Sequence, residues 1–316
     1  MTTAPLNTVV IATRGALRMS RVRRMISTLL PLAVLGLIGF LLFTRGGPVL
    51  DAIGGVPVWV ILGATAAHVL TLALRTEAWR TVLRAAAGEK AESLDPRDVH
   101  AANAGAFLAG TVQGQAALPA RIALLRRFGG ASAPDVSQIA LADAPIVLFE
   151  VCAAAVLAAV GSTAVGMIPA WAPWAMLGGA VAVLAALRLL YGRFYRRKIA
   201  AGLGVLANPE LRNRLAVVVA AFTAMAFLRT WIVLAAFGLP SDPAHVCLVL
   251  FTMGAVGLLP LGIGTGPAAT VAALGSTSLV TATAAGMVVS SATILAVLIY
   301  AAAVWAWRRL PEPVPA

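Results

Sequence analysis

The sequence predicts an all-α, polytopic integral membrane bundle of about six to eight transmembrane helices, some of them re-entrant or broken. Three observations lead there. Of 316 residues, 60% are apolar and 11% charged, where a soluble domain runs at roughly 25% charged. The apolar residues come in unbroken runs of helical length, not in the alternating ten-residue segments of a β-barrel. The Lys and Arg residues cluster between those runs.

A hydrocarbon core of about 30 Å needs about 20 apolar residues at 1.5 Å per residue. Ile26 to Phe43, Val56 to Leu74, Val136 to Val160, Trp171 to Tyr191 and Ala216 to Phe237 satisfy it. The first of these follows a basic stretch, Arg14 to Arg24, and lacks an Ala-x-Ala cleavage site before Thr44, so it reads as a retained anchor. The expected organisation is a basic arm at 1–25, a single transmembrane domain at 26–307 and a tail at 308–316.

Basic residues mark the cytoplasmic ends of spans. The arm holds five, the connection from Arg75 to Pro134 eight, that from Arg188 to Arg214 seven, and the tail Arg308 and Arg309. The remaining two are Arg45, in a short loop, and Arg229, inside a span. Both termini are therefore expected in the cytoplasm, and the Ala- and Arg-rich usage with few Lys suggests a bacterium, which makes the inner membrane the expected location. The formal net charge of +12 is accounted for by topology, and no stripe of stacking aromatics accompanies it, so nucleic acid is not an expected partner.

Parity constrains the last apolar region, Ala244 to Trp307, because the fifth span ends outside and the tail lies inside. It must cross an odd number of times. Leu259 to Pro267 is a poor continuous helix, since Pro260 and Pro267 each remove a donor and three glycines add backbone freedom. The favoured reading is a broken pair dipping in from outside before one final helix. A second broken stretch, Val99 to Leu118, is interrupted by Asn103, Gln113, Gly114 and Gln115. Unwound backbone at membrane depth persists only where protein or a wet cavity satisfies it, so two such breaks predict a cavity.

Asp143 and Glu150 are seven apart in the third span, which places both on one helix face. An intramembrane carboxylate costs about 2.5–3.5 kcal/mol on insertion scales and needs a partner or water. Arg229 is the expected counter-ion for Glu150. Arg121 follows the Gly114–Gln115 break and is the basic residue best placed to meet a phosphate, whereas Arg126 and Arg127 read as interface anchors. Arg75, Glu77, Trp79 and Arg80 close the second span and read likewise, as does the run Arg193 to Lys198.

Signals for catalysis are absent from the sequence. Gly262, Gly264 and Gly266 lack the spacing and context of a nucleotide loop, and His68, His100 and His245 are scattered without zinc-site spacing. Cys152 and Cys247 lie in apolar stretches as small core residues. Neither enzyme activity, nor a cofactor, nor a bound metal is expected.

Three places carry a resemblance to a known family: Arg75 to Arg84 closing the second span; the run Asn103 to Gly129 with Gly114, Gln115, Arg121 and Leu124 to Arg127, followed by Asp143; and Leu259 to Gly264. In these the chain resembles the transmembrane domain of bacterial lysylphosphatidylglycerol synthases and flippases, in a stand-alone form without the soluble synthase domain. It departs from that pattern at Gln115, where an acid is frequent, at Ala144, where an Arg is common, and at Pro267, in place of a Glu.

The resemblance implies movement of a lipid or lipid-linked headgroup. The residues expected along such a path are Arg121, Arg229, Asp143, Glu150, Gln115 and Asn103, with membrane lipids as partners. The alternative is a non-catalytic scaffold for an envelope-synthesis enzyme. A transferase acting on a lipid-linked sugar is a third reading, without an acid cluster to support it.

Overall fold

The computed structural model describes residues 46–87, 94–130, 133–166, 204–257 and 264–311, with a few positions between 171 and 185. The runs Ile26 to Phe43 and Arg193 to Lys198 lie outside these residues, as does most of Trp171 to Tyr191. The described residues are helical, with no strand among them. Among the described residues four helices are long and apolar enough to cross a membrane: Val58–Ala86, Val136–Ser162, Pro209–Ala236 and Leu279–Arg309.

After a helical stretch at 46–54, α1 runs from Val58 to Ala87, well past the Leu74 limit read from hydropathy. α2 (Pro96–Val112) begins with Pro96 at its first position and the Asp95 carboxylate accepting from the Arg97 N–H at 2.7 Å, which offsets donors no helical carbonyl reaches. Gln113 is extended, a single turn of 3₁₀ helix spans Gly114–Ala116, and α3 (Ala117–Gly129) leads back.

α4 (Val136–Leu141) and α5 (Asp143–Val165) are nearly continuous, since Ala142 between them keeps helical angles. Gln138 of α4 donates to the Ala86 carbonyl at 3.0 Å and so closes the end of α1. The short α6 (Gly204–Ala207) precedes α7 (Pro209–Ala236), which starts on the Asn208 cap. α7 ends at Gly238, whose φ of 63° allows the Gly238 and Leu239 N–H groups to bond back to Ala235 and Leu234.

α8 (Pro243–Gly257) and α9 (Thr265–Leu274) precede the 31-residue α10 (Leu279–Arg309). Pro267 sits in the first turn of α9, where its missing N–H breaks no helical bond.

Neither α2 nor α3, and neither α8 nor α9, is long enough to cross 30 Å at 1.5 Å per residue. Each pair forms a broken hairpin set against α10. The first opens at the end of the bundle where α10 finishes: Arg308 bonds Asp98 at 2.6 Å and Arg97 donates to the Leu310 carbonyl at 2.8 Å. The second opens at the opposite end, where Leu274 packs in one apolar cluster with Val60, Val246 and Ala282. Gly110, Thr111 and Ala117 of the first and Met253, Thr265 and Gly266 of the second face the same middle stretch of α10, Val289 to Val297. Of the region Ala244 to Trp307, α10 alone is of spanning length among the described residues, and α8 and α9 are separate shorter helices.

Two apolar clusters hold the ends. One gathers Trp79, Leu83, Leu125, Ile139, Ile146 and Leu215. The other, around Val60, joins α1, α7, α8, α9 and α10. Small residues let the backbones approach: a Cβ at Gly161 of α5 would lie 2.9 Å from the Leu248 backbone nitrogen of α8.

Candidate functional site

A cavity of about 390 Å³ lies between the two hairpins and the middle of α10, within the usual range for a small-molecule site. The first hairpin gives it Gly110, Thr111 and Ala117, and the second Met253, Thr265 and Gly266. α1 lends His68, Leu72 and Arg75, α7 lends Arg229, and α10 supplies the wall from Val289 to Val297. The cavity predicted from two breaks in the sequence is thus present between them.

Arg229 is its most polar component and is 8% exposed. Its Nη1 donates to His68 Nδ1 at 2.8 Å and to Thr293 Oγ1 at 3.1 Å. A guanidinium has no acceptor, so His68 Nδ1 must carry a lone pair and the imidazole is neutral in this contact. The Arg229 Nε has no partner, and among the described residues no carboxylate is within ion-pair distance of Arg229. A buried cation in this condition is expensive unless a charge from outside the chain meets it.

The predicted Glu150–Arg229 pair does not form. Glu150 instead pairs with Arg75, at 3.1 Å. The sequence places the end of the second span at Leu74 and so makes Arg75 an interface anchor; α1 continues to Ala87, and Arg75 meets Glu150 of α5. Glu150 therefore touches the cavity only through Arg75.

Arg121 is also turned away from the cavity. Its Nη1 lies 2.6 Å from both carboxylate oxygens of Asp143, and its guanidinium stacks 5.1 Å from the Trp79 ring centre. Trp79 is buried, not an interface anchor as the sequence implied. The pair joins α3 to the start of α5. Asn103 is buried in α2 with its Nδ2 unpartnered, and Gln115 lies in the turn at the hairpin tip.

A chain of polar contacts fastens the first hairpin. Glu77 accepts from Arg80 at 3.0 Å and meets His100 Nε2 at 2.9 Å. His100 Nδ1 meets the Tyr300 hydroxyl at 2.8 Å, and that hydroxyl donates to Thr76 Oγ1 at 3.0 Å. α1, α2 and α10 are joined through one imidazole. Replacing His100 by Phe is expected to cost about 1–3 kcal/mol, since it takes one partner from each of Glu77 and Tyr300 and leaves them only Arg80 and Thr76; thermal unfolding in detergent, cycled with Tyr300→Phe, checks it.

Sequence reasoning missed His68 and the inward face of Arg75. A signal existed: His68, Leu72 and Arg75 lie at i, i+4 and i+7, one face of α1, and all three line the cavity. Among the described residues no group of three or more His, Cys, Asp or Glu side chains could hold a metal ion, and Cys152 and Cys247 are free thiols. No protein-family model, curated protein or solved structure matches the chain.

Proposed function

We propose that this protein is a flippase-like integral membrane protein that moves a lipid, or a lipid-linked headgroup, across the bacterial inner membrane through the central cavity. The chain crosses that membrane six times, the lower end of the six to eight read from the sequence, with both termini in the cytoplasm, so that the α2–α3 hairpin dips in from the cytoplasm and the α8–α9 hairpin from outside. The observation that carries this reading is Arg229: a buried guanidinium without a carboxylate, between two broken hairpins that open to opposite ends of the bundle. An anionic headgroup supplies the missing charge, and its acyl chains stay in the bilayer. The resemblance to the lysylphosphatidylglycerol flippase domain supports the same reading.

A scaffold for an envelope-synthesis enzyme is the second reading. It is favoured by the two internal ion pairs, Arg121–Asp143 and Arg75–Glu150, which hold four of the intramembrane charges in structural contacts.

Reconstitution into phosphatidylcholine and phosphatidylglycerol vesicles carrying fluorescent-headgroup lipids separates the two. The protein is expected to expose inner-leaflet label to an external quencher. Arg229→Gln should slow that exposure by about 10- to 100-fold, the worth of a charge-assisted hydrogen bond, with unfolding temperature retained. Absence of any lipid movement, with a partner enzyme co-purifying, would select the scaffold.

A further inference from the structure

The charge of the cavity is set by a residue outside it. Among the described residues three titratable side chains line the space: His68, Arg75 and Arg229. His68 accepts from Arg229 and is neutral there. Arg75 is matched by Glu150 at 3.1 Å. Arg229 has no carboxylate, so the site holds one net positive charge.

Its open valence has a shape as well. Nη1 of Arg229 is engaged by His68 and Thr293, whereas Nε is unpartnered. Nε and the adjacent Nη2 form the side-on edge with which a guanidinium grips two oxygens of one oxyanion; Nε is inaccessible here, so an anion reaches that edge once the guanidinium turns towards the cavity.

We infer that Glu150 is a specificity-determining residue, and that by neutralising Arg75 it restricts the cavity to singly charged oxyanions of the phosphodiester type. This rests on the cavity being a headgroup site. A doubly charged phosphomonoester would have to draw Arg75 away from Glu150 and leave that carboxylate, half-buried at 26% exposure, without its partner, a penalty a monoanion avoids.

The test uses the purified full chain in a phosphate-free maltoside detergent, titrated with dimethyl phosphate and with methyl phosphate and followed by phosphorus NMR. At about pH 8 the diester carries one charge and the monoester two, since its second ionisation lies near 6. The wild type should bind the diester roughly tenfold more tightly. Glu150→Gln leaves Arg75 unmatched and should reverse that preference. Arg75→Gln combined with Glu150→Gln returns the net charge to one and should restore it; if the single variant fails to fold, Arg75→Gln alone, which leaves Glu150 unmatched and the net charge at zero, should weaken diester binding about tenfold, and unchanged binding there overturns the inference.

Arg229→Gln should lose both probes. Equal binding of the two probes by the wild type, or an unchanged preference in Glu150→Gln, overturns the inference and leaves the anion site standing. Failure of the wild type to bind either probe, or full binding by Arg229→Gln, overturns the headgroup reading and the inference with it.

Discussion

Replacing Asp143 by Ala is expected to destabilise the folded protein by about 3 kcal/mol, the lower end of the range for breaking a buried ion pair. The reason lies in what is left behind. The Arg121 side chain is 8% exposed, its Nε is already unpartnered, and its Nη1 bonds go to Asp143. Removing the carboxylate strands a guanidinium against the Trp79 ring. The lower end applies because the Asp143 side chain is 33% exposed, so water softens the loss. Arg121→Met with Asp143→Leu should be less harmful than Asp143→Ala, because two apolar side chains leave no charge uncompensated. Thermal unfolding in detergent reads both effects. Equal stability of Asp143→Ala and wild type would mean that Arg121 finds another anion, and the pair would lose its structural role.

The distinction between this pair and Arg229 was beyond the sequence. Hydropathy and length give the depth of a residue along a span, and they correctly mark α1, α5, α7 and α10 as apolar helices of spanning length. They do not give the rotation of one helix against another. Asp143 and Glu150 were legible as one face of α5, but the choice between Arg75, Arg121 and Arg229 depends on how α5 is turned relative to α1, α3 and α7.

The end of α1 shows the same limit. Charges at Arg75, Glu77 and Arg80 stop a hydropathy window, yet the helix continues, since Arg75 meets Glu150 while Glu77 meets Arg80 and His100. Paired charges are compatible with a helix interior, and a window that counts them singly ends too early.

Breaks were easier to read than partners, because the backbone itself is written in the residue types. Gln113 and Gly114 stand where α2 gives way, and Pro267 stands in the first turn of a new helix, each for local reasons. α2 gives way at Gln113, and α8 is followed by a new helix from Thr265, where the sequence placed the interruptions. Residues 258–263 lie outside the described residues. Caps were equally local: Asp95–Pro96, Asn208–Pro209 and Ser278 each stand at a helix start.

Gly286→Ala is expected to cost about 2–3 kcal/mol, in the upper range for overpacking, and also to weaken anion binding in the cavity. A Cβ at position 286 would fall 2.5 Å from Pro267 Cα and 2.7 Å from both the Gly266 oxygen and the Pro267 nitrogen. All three are backbone atoms, so no rotamer change relieves the clash. α9 must move away from α10. Position 266 makes the same contact from the other side, where a Cβ would lie 2.6 Å from the Gly286 oxygen. Since Thr265 and Gly266 form part of the cavity wall and Thr293 of the same α10 holds Arg229, shifting α9 enlarges the space around the guanidinium. Gly254→Ala in α8 is the control, because nothing lies within 4 Å of its added Cβ. Unfolding temperature and dimethyl phosphate affinity should both fall in Gly286→Ala and both hold in Gly254→Ala. A variant that loses stability but binds normally would show that the glycine contact serves packing alone, and that the cavity keeps its shape through α1, α7 and the first hairpin.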